Sequence, residues 1–313
     1  MMRELMAPMR YPLDAPDFTT VRGQTYVLKG TPQWTKPLGR RLAIVDIDTR
    51  PLDRSQQALN PERFVYGQHG YTSTGMLNHW LYATIHGYDY HLIRTPNFSD
   101  RVAPWTKIPA LSDHLHNYDM VISIDADALF THLNLPFEWL LNRWQVPPGA
   151  SLTMARDPIA DQNFDTKGRV YNNAGFIIAQ NNPRTHEILR AWASCPEDHE
   201  RFPGCDNLRQ NWPAEQAAFG EYIRYAYDRP TDLHEITCTE GNGWLGSNSG
   251  CDGVFVEHMW SGKNEVHRVV GETVAQAVLA RAHQDFVDRA AEMVLVRDTN
   301  AFMDMDLAGR PSG

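Results

Sequence analysis

Basic blocks, long apolar runs and low-complexity tracts are missing from this 313-residue sequence. Its 29 lysines and arginines are outnumbered by 38 aspartates and glutamates, which gives a formal net charge of −9. Such a chain is a poor candidate for nucleic acid or an anionic membrane as its main partner. A phosphate-bearing small molecule stays compatible with this charge, because one metal ion can reverse the local field.

No membrane segment is recognisable in the sequence. Residues 1–40 hold neither a signal peptide nor an anchor, and no other stretch approaches the ~20 apolar residues that span a bilayer. We therefore expect no membrane span in this chain.

Cysteine is scarce, and CxxC pairs are absent, which disfavours a zinc site. Near-neighbour pairing would join Cys195 to Cys205 and Cys238 to Cys251. Three pairings can be drawn from four cysteines, and free thiols are an equal alternative. Asn97-Phe98-Ser99 is the one N-glycosylation sequence and a weak indication of a secretory route.

Strands and helices alternate along the sequence, which predicts an α/β fold. Apolar runs indicate strands at 41–45, 90–93, 120–124, 152–155, 175–179 and 254–256. Helical spacing is found at 73–87, 106–117, 183–193, 214–225 and 271–295. Because the central strands are almost continuously apolar, we expect a mostly parallel sheet flanked by helices. Ligands bind at the carboxyl ends of such strands.

Acidic pairs follow two of the predicted strands. Asp125 and Asp127 come after the 120–124 run, while Asp46 and Asp48 end the 41–45 run. Carboxylate oxygens suit Mg²⁺ or Mn²⁺, which can also hold a diphosphate. Because both pairs follow a strand, their position does not show which of them binds a metal. For either pair, the alternative is a polar strand end with two solvated acids and no metal.

Sequence blocks around the second pair occur in a recognisable order. They are Asn78-x-x-x-Tyr82-x-x-x-His86-Gly87-Tyr88-Asp89, Trp105-x-Lys107-x-Pro109-x-Leu111, Asp125-Ala126-Asp127-Ala128-Leu129-Phe130, Asn173-Ala174-Gly175-Phe176, Glu215-Gln216-x-Ala218 and Val256-Glu257-His258-x-x-x-x-Lys263. Together they resemble the α-glycosyltransferases of the fungal galactosyl/mannosyl and plant xyloglucan xylosyl type, glycosyltransferase family 34. Glu215 stands where that family usually has an aspartate.

The resemblance implies a GT-A fold and a retaining, metal-dependent transfer of a hexose or pentose. The donor would be a nucleotide-diphosphate sugar, UDP-sugar or GDP-mannose, and the acceptor a glycan or glycoside hydroxyl. Asp125, Asp127 and His258 would hold Mn²⁺ (or Mg²⁺). The family works in the Golgi lumen, but no anchor is seen here, so a cytoplasmic location stays open.

Further roles follow from the same resemblance. The donor would be bound by Lys107, Asp125, Ala126, Ala174, Gly175 and Lys263. Catalytic roles would fall to Glu215, Gln216 and Asn173. Each has a plain structural alternative, since Asn and Gly favour turns before strands and acids favour helix starts. We expect an irregular arm over 1–40, the catalytic domain over 41–270, and a helix and tail over 271–313.

Two other protein classes compete with this interpretation. A haloacid-dehalogenase-like phosphohydrolase also places DxD at a strand end, and Asp46-Ile47-Asp48-Thr49 would serve, but no downstream GDxxxD is present. A non-catalytic sugar-binding protein of the same fold is the other.

Three further patterns carry no functional prediction. Gly241–Gly246 fits GxGxxG but lacks a leading strand, so we expect a loop, which could line the acceptor cleft. His114 and His116 would face opposite sides of a helix. Asp304 and Asp306 fall in an expected frayed tail.

Overall fold

The computed structural model describes residues 7–295 of the chain. They divide into two compact units, one ending at Ala277 and the other beginning at Val278. No helix within the described residues combines the length and the apolar character that a bilayer crossing requires. Asp304 and Asp306 lie outside the described residues.

The strands and helices follow in alternation. The strands are β1 (Asp17–Thr19), β2 (Thr25–Val27), β3 (Leu42–Asp48), β4 (Asp89–Arg94), β5 (Met120–Ile124), β6 (Ala128–Phe130), β7 (Leu152–Arg156), β8 (Asn172–Gln180), β9 (Leu233–Ile236) and β10 (Val256–His258). The α-helices are α1 (Tyr71–His86), α2 (Lys107–Leu115), α3 (Phe137–Arg143), α4 (Pro183–Ala193), α5 (Ala214–Ala218), α6 (Arg224–Ala226), α7 (Cys238–Gly241), α8 (Val266–Asp288) and α9 (Ala290–Met293). A π-helical segment, Phe219–Ile223, joins α5 to α6.

A six-stranded sheet forms the centre of the first unit, in the order β4-β3-β5-β8-β7-β9. β3 pairs in parallel with β4 and β5, and β7 pairs in parallel with β9. Only β8 runs in the opposite direction, antiparallel to both β5 and β7. The predicted α/β fold with a mostly parallel central sheet is therefore confirmed.

Helices cover both faces of this sheet. All five residues of β5 are buried, as their continuous apolar character predicts. On one face Ile44 and Ile122 belong to a core with Tyr82 of α1. On the other face Val121 belongs to a core with Leu111 of α2. Burial on both faces leaves the carboxyl edge of the sheet as the place for chemistry.

The first 40 residues, expected to be an irregular arm, contain a small hairpin. Phe18 of β1 pairs with Tyr26 of β2, and both side chains are buried. Tyr26 packs edge-on against Phe255, with ring centroids 5.0 Å apart. Strands of three residues are too short to show a periodic pattern, which is why the sequence did not reveal them.

Two disulfides join neighbouring cysteines, Cys195 to Cys205 and Cys238 to Cys251. The second closes the segment that holds Gly241–Gly246, where Gly241 ends the short helix α7, Leu245–Ser247 form a 3-10 turn and the residues between them are irregular. His114 and His116 turn to different partners, the rings of His91 and His186.

Candidate active site

The two aspartates of the DxD sequence sit in the tight turn between β5 and β6. The Asp125 N–H donates to the Gly175 carbonyl at 2.8 Å, and the Ala128 N–H donates to the Asp125 carbonyl at 2.8 Å. Asp125 is half-buried and Asp127 is buried. The turn is therefore fixed by backbone hydrogen bonds on both sides.

His258 reaches this turn because β10 pairs with β6. The pairing is antiparallel and sets His258 opposite Ala128, while the Met259 N–H donates to the Asp127 carbonyl at 2.8 Å. One ligand atom from each of Asp125, Asp127 and His258 lies within 4.8 Å of the others. This donor set, two carboxylates and an imidazole, fits Mn²⁺ or Mg²⁺.

Two lysines balance the acidic pair. Lys107 Nζ lies 2.8 Å from Asp125 Oδ1, and Lys263 Nζ lies 3.0 Å from Asp127 Oδ2. Burial would raise the pKa of Asp127, but hydrogen bonding and charge from His258 and Lys263 hold that pKa well below its usual range. Burial would lower the pKa of His258, but Asp127 raises it above its ordinary value. The pocket is thus built around ionised carboxylates that attract cations.

Glu215 is buried behind these groups at the start of α5. Its Oε1 lies 3.6 Å from Lys107 Nζ, and its buried Oε2 has no hydrogen-bond partner within residues 7–295. Burial raises the pKa of Glu215 to about 6, although Lys107 counteracts this. Lys107 itself donates to the Ala174 carbonyl at 2.8 Å. An unpartnered carboxylate oxygen is costly in a buried place and points to a functional use.

Gly175 admits the imidazole of His258. A Cβ on this glycine would stand 2.3 Å from His258 Cε1, closer than any side chain tolerates. Donor binding by Gly175, which the resemblance implies, stays a prediction; the structure shows that this glycine packs against the candidate metal ligand His258.

Two buried residues of the site were missed by the sequence analysis, Asp157 and Asn242. Asp157 follows β7 and accepts hydrogen bonds from the amides of Asn173, Gln216 and Asn242. Burial raises the pKa of Asp157, although the amide hydrogen bonds counteract this. Asp157 could have been predicted, because it closely follows a predicted strand and ligands bind at the carboxyl ends of such strands. Nothing in the sequence singles out Asn242, because it lies in the Gly-rich loop.

One cleft of about 810 Å³ brings all the residues predicted for the site together. Its lining includes Lys107, Asp125, Ala126, Asp127, Asn173, Ala174, Gly175, Glu215, Gln216, His258 and Lys263. The same cleft extends past Asp48 and Arg50 at one side and reaches Trp212, which is 83% exposed, at another.

The carboxylates of the first acidic pair, Asp46 and Asp48, are hydrogen-bonded or ion-paired to neighbouring side chains. Asp46 is buried and accepts from Tyr90 Oη at 2.8 Å and from His79 Nδ1 at 2.9 Å. Asp48 forms a fork with the Arg50 guanidinium, with Oδ2 and Nη2 2.6 Å apart. A phosphohydrolase of the haloacid dehalogenase type would need the first of these carboxylates free to attack, which disfavours that alternative.

No protein-family model matches the chain, and no curated protein matches it. Among solved structures, it is similar to a glycosyltransferase involved in the glycosylation of the major capsid of PBCV-1. The identity is 11% and the TM-score 0.48, over 74% of this chain and 98% of that one.

Two further structures are similar. The glycosyltransferase GlyE of Streptococcus pneumoniae TIGR4 has 12% identity and a TM-score of 0.43, over 77% of this chain and 64% of that one, which is less than two thirds of its length. Mouse xyloside xylosyltransferase 1, in its apo form, has 14% identity and a TM-score of 0.37, over 71% and 98%.

Proposed function

We propose that this chain is a metal-dependent retaining glycosyltransferase of the GT-A type, similar to family 34. It would move a hexose or pentose from a nucleotide-diphosphate sugar to a glycan or glycoside hydroxyl and form an α-linkage. One observation carries the proposal: ligand atoms of Asp125, Asp127 and His258 lie within 4.8 Å of one another at the carboxyl edge of the sheet. They line a cleft large enough for such a donor.

The hard step of this reaction is departure of a diphosphate with concentrated negative charge. A Mn²⁺ (or Mg²⁺) held by the three ligands supplies charge stabilisation there. Lys263 is well placed to add a point charge, because it is exposed in the cleft and already pairs with Asp127. UDP-sugar and GDP-mannose are the donors that the resemblance to family 34 suggests.

Glu215 is the residue best suited to act near the anomeric carbon. With a pKa of about 6 it is ionised at neutral pH, and Oε2 accepts no hydrogen bond from the described part of the chain. The carboxylate can stabilise positive charge on the anomeric carbon while the bond to the diphosphate breaks and the bond to the acceptor oxygen forms on the same face. In the alternative, the carboxylate attacks the anomeric carbon as the diphosphate leaves, and the acceptor oxygen displaces the carboxylate in a second step. The acceptor proton leaves with the diphosphate. Lys107 holds Glu215 in its ionised form.

The acceptor side of the cleft carries aromatic side chains. Trp212 is largely exposed and Trp260 is half-buried, and both line the cleft. Indole faces stack on the apolar faces of sugar rings while the ring hydroxyls remain hydrated. This supports a glycan or glycoside as the acceptor.

The test is nucleotide release from a panel of UDP- and GDP-sugars by the purified protein with Mn²⁺. Asp127→Asn should lower metal-dependent release by about 100-fold or more, because one ligand loses its charge. Asp119→Asn, on the surface and paired with Arg41, is the control and should keep full activity. The anomeric configuration of the product is read by NMR.

Each other outcome of this assay contradicts the proposal. Phosphate release from simple monoesters would indicate a phosphohydrolase. Saturable sugar binding without turnover would indicate a binding protein. Unchanged turnover in Asp127→Asn would show that the reaction does not depend on a metal ion bound at this site.

A further inference from the structure

Asp157 is a buried carboxylate at the same sheet edge as the candidate metal ligands. Three amide groups donate to it: Asn173 Nδ2 to Oδ1 at 2.8 Å, Asn242 Nδ2 to Oδ1 at 3.0 Å, and Gln216 Nε2 to Oδ2 at 2.7 Å. An ionised carboxylate only accepts hydrogen bonds. Each of the three amides must therefore turn its NH₂ group toward Asp157 and its oxygen away.

Two of these oxygens meet backbone N–H groups in the cleft wall. Asn173 Oδ1 accepts from the Gly175 N–H at 2.7 Å, and Gln216 Oε1 accepts from the Ala174 N–H at 3.0 Å. Both N–H groups can only donate, so these contacts agree with the orientation that Asp157 imposes.

The third oxygen meets the imidazole of His258. Asn242 Nδ2 donates to Asp157 and also to the Arg156 carbonyl at 3.1 Å, so Asn242 Oδ1 is left to face His258 Nδ1 at 3.0 Å. An oxygen at this distance requires the proton on Nδ1. His258 Nε2, 3.4 Å from Asp127 Oδ1, is then the nitrogen available as a ligand.

We propose that Asp157 is a positioning residue that fixes the tautomer of His258 through Asn242 and so keeps Nε2 available for a divalent cation. This inference rests on the proposed function for the presence of the cation. Without Asp157, Asn242 keeps only the Arg156 carbonyl and can flip, and a flipped amide would place a donor against Nδ1. Outer partners of metal-bound histidines typically account for about 10–100-fold in metal affinity.

The experiment compares the full chain with its Asp157→Ala and Asn242→Ala variants. The dissociation constant of Mn²⁺ is measured by electron paramagnetic resonance. The tautomer of His258 is measured by imidazole ¹⁵N–¹H NMR on metal-free protein above the pKa of His258, with His258→Gln used for assignment. In the metal-free protein Asp127 competes for a proton on Nε2 of His258. We therefore expect a larger share of the Nδ1–H tautomer in the wild type than in Asp157→Ala, and a dissociation constant for Mn²⁺ that rises by about 10–100-fold in the variant.

Asp165→Ala is the matched control. Asp165 is also buried, lies between β7 and β8, and accepts from Tyr225 and Arg224, but it does not line the cleft. Its variant can lose stability but should keep the Mn²⁺ affinity and the tautomer of His258.

An unchanged tautomer in Asp157→Ala would overturn the proposal, even with weaker Mn²⁺ binding, because charge rather than orientation would then be responsible. Unchanged Mn²⁺ affinity would overturn it as well. If Asp157→Ala does not fold, Asn242→Ala decides by the same readouts, because it removes the oxygen that faces His258 Nδ1. An unchanged tautomer in that variant would overturn the proposal. Neither readout needs a sugar donor, so failure here is distinguishable from failure of the proposed reaction.

Discussion

Two acidic side chains in the cleft have pKa values that are shifted in opposite directions. Asp127 and Glu215 are both buried carboxylates, but the pKa of Asp127 is depressed and that of Glu215 is raised. The difference comes from their partners: His258 and Lys263 both contact Asp127, whereas Glu215 has only Lys107 at 3.6 Å. Separated pKa values of neighbouring acids mark different chemical roles.

The raised pKa of Glu215 predicts a specific pH dependence. Since the carboxylate form is the active one and forms above a pKa of about 6, kcat/KM should fall about tenfold per pH unit below pH 6. Measurement at saturating Mn²⁺ separates this from metal loss. Glu215→Gln should be much slower and should lack this acidic limb. If the variant keeps the limb, another group is responsible for it.

The elements that carry these residues could be predicted from the sequence to different degrees. The apolar run of β5 and the acids after it were enough to place Asp125 and Asp127 at the sheet edge. The resemblance, rather than any local pattern, indicated His258, because its position depends on the antiparallel pairing of the three-residue strands β6 and β10. Asn242 depends on the course of a disulfide-closed loop, which no periodicity encodes.

Helix α1 supports the DxD turn through a single glycine. A Cβ on Gly75 would stand 1.8 Å from the Ala126 carbonyl oxygen, and Ala126 separates the two acids. Gly75→Ala should therefore lower the free energy of unfolding by about 1–3 kcal/mol despite better helix propensity, and should weaken Mn²⁺ binding. Chemical denaturation and metal titration measure the two effects.

Gly70→Ala, at the N-cap of the same helix, provides the comparison. The space around this glycine is open, so its variant should differ from the wild type by at most about 1 kcal/mol and bind Mn²⁺ normally. Equal behaviour of the two variants would mean that α1 does not constrain the DxD turn.

At the scale of the whole molecule, the two disulfides should contribute differently to stability and to the site. Each closes a short loop, and removal of either should cost about 2–4 kcal/mol of unfolding free energy. Only Cys238–Cys251 encloses a residue of the site, Asn242. Replacing both of these cysteines by serine should weaken Mn²⁺ binding as well as stability. Denaturation curves and Mn²⁺ titrations measure both quantities.

The Cys195–Cys205 pair is the internal control, because the loop that it closes contributes no residue to the lining of the cleft. Its serine variant should lose stability alone. Loss of Mn²⁺ affinity in both variants would show that general loosening, and not the loop of Asn242, affects the metal site.

The reversed direction of β8 has a consequence for how the wall of the cleft can diversify. Because β8 begins where β5 and β7 end, the connection 157–171 both leaves and re-enters the sheet at the cleft, and Pro158, Ala160, Gln162 and Asn163 form part of its wall. Insertions after Asp157 and before β8 could reshape that wall while the cation ligands on other connections stay in place. A new acceptor preference could thus be acquired by exchanging one surface connection, with the rest of the scaffold unaltered.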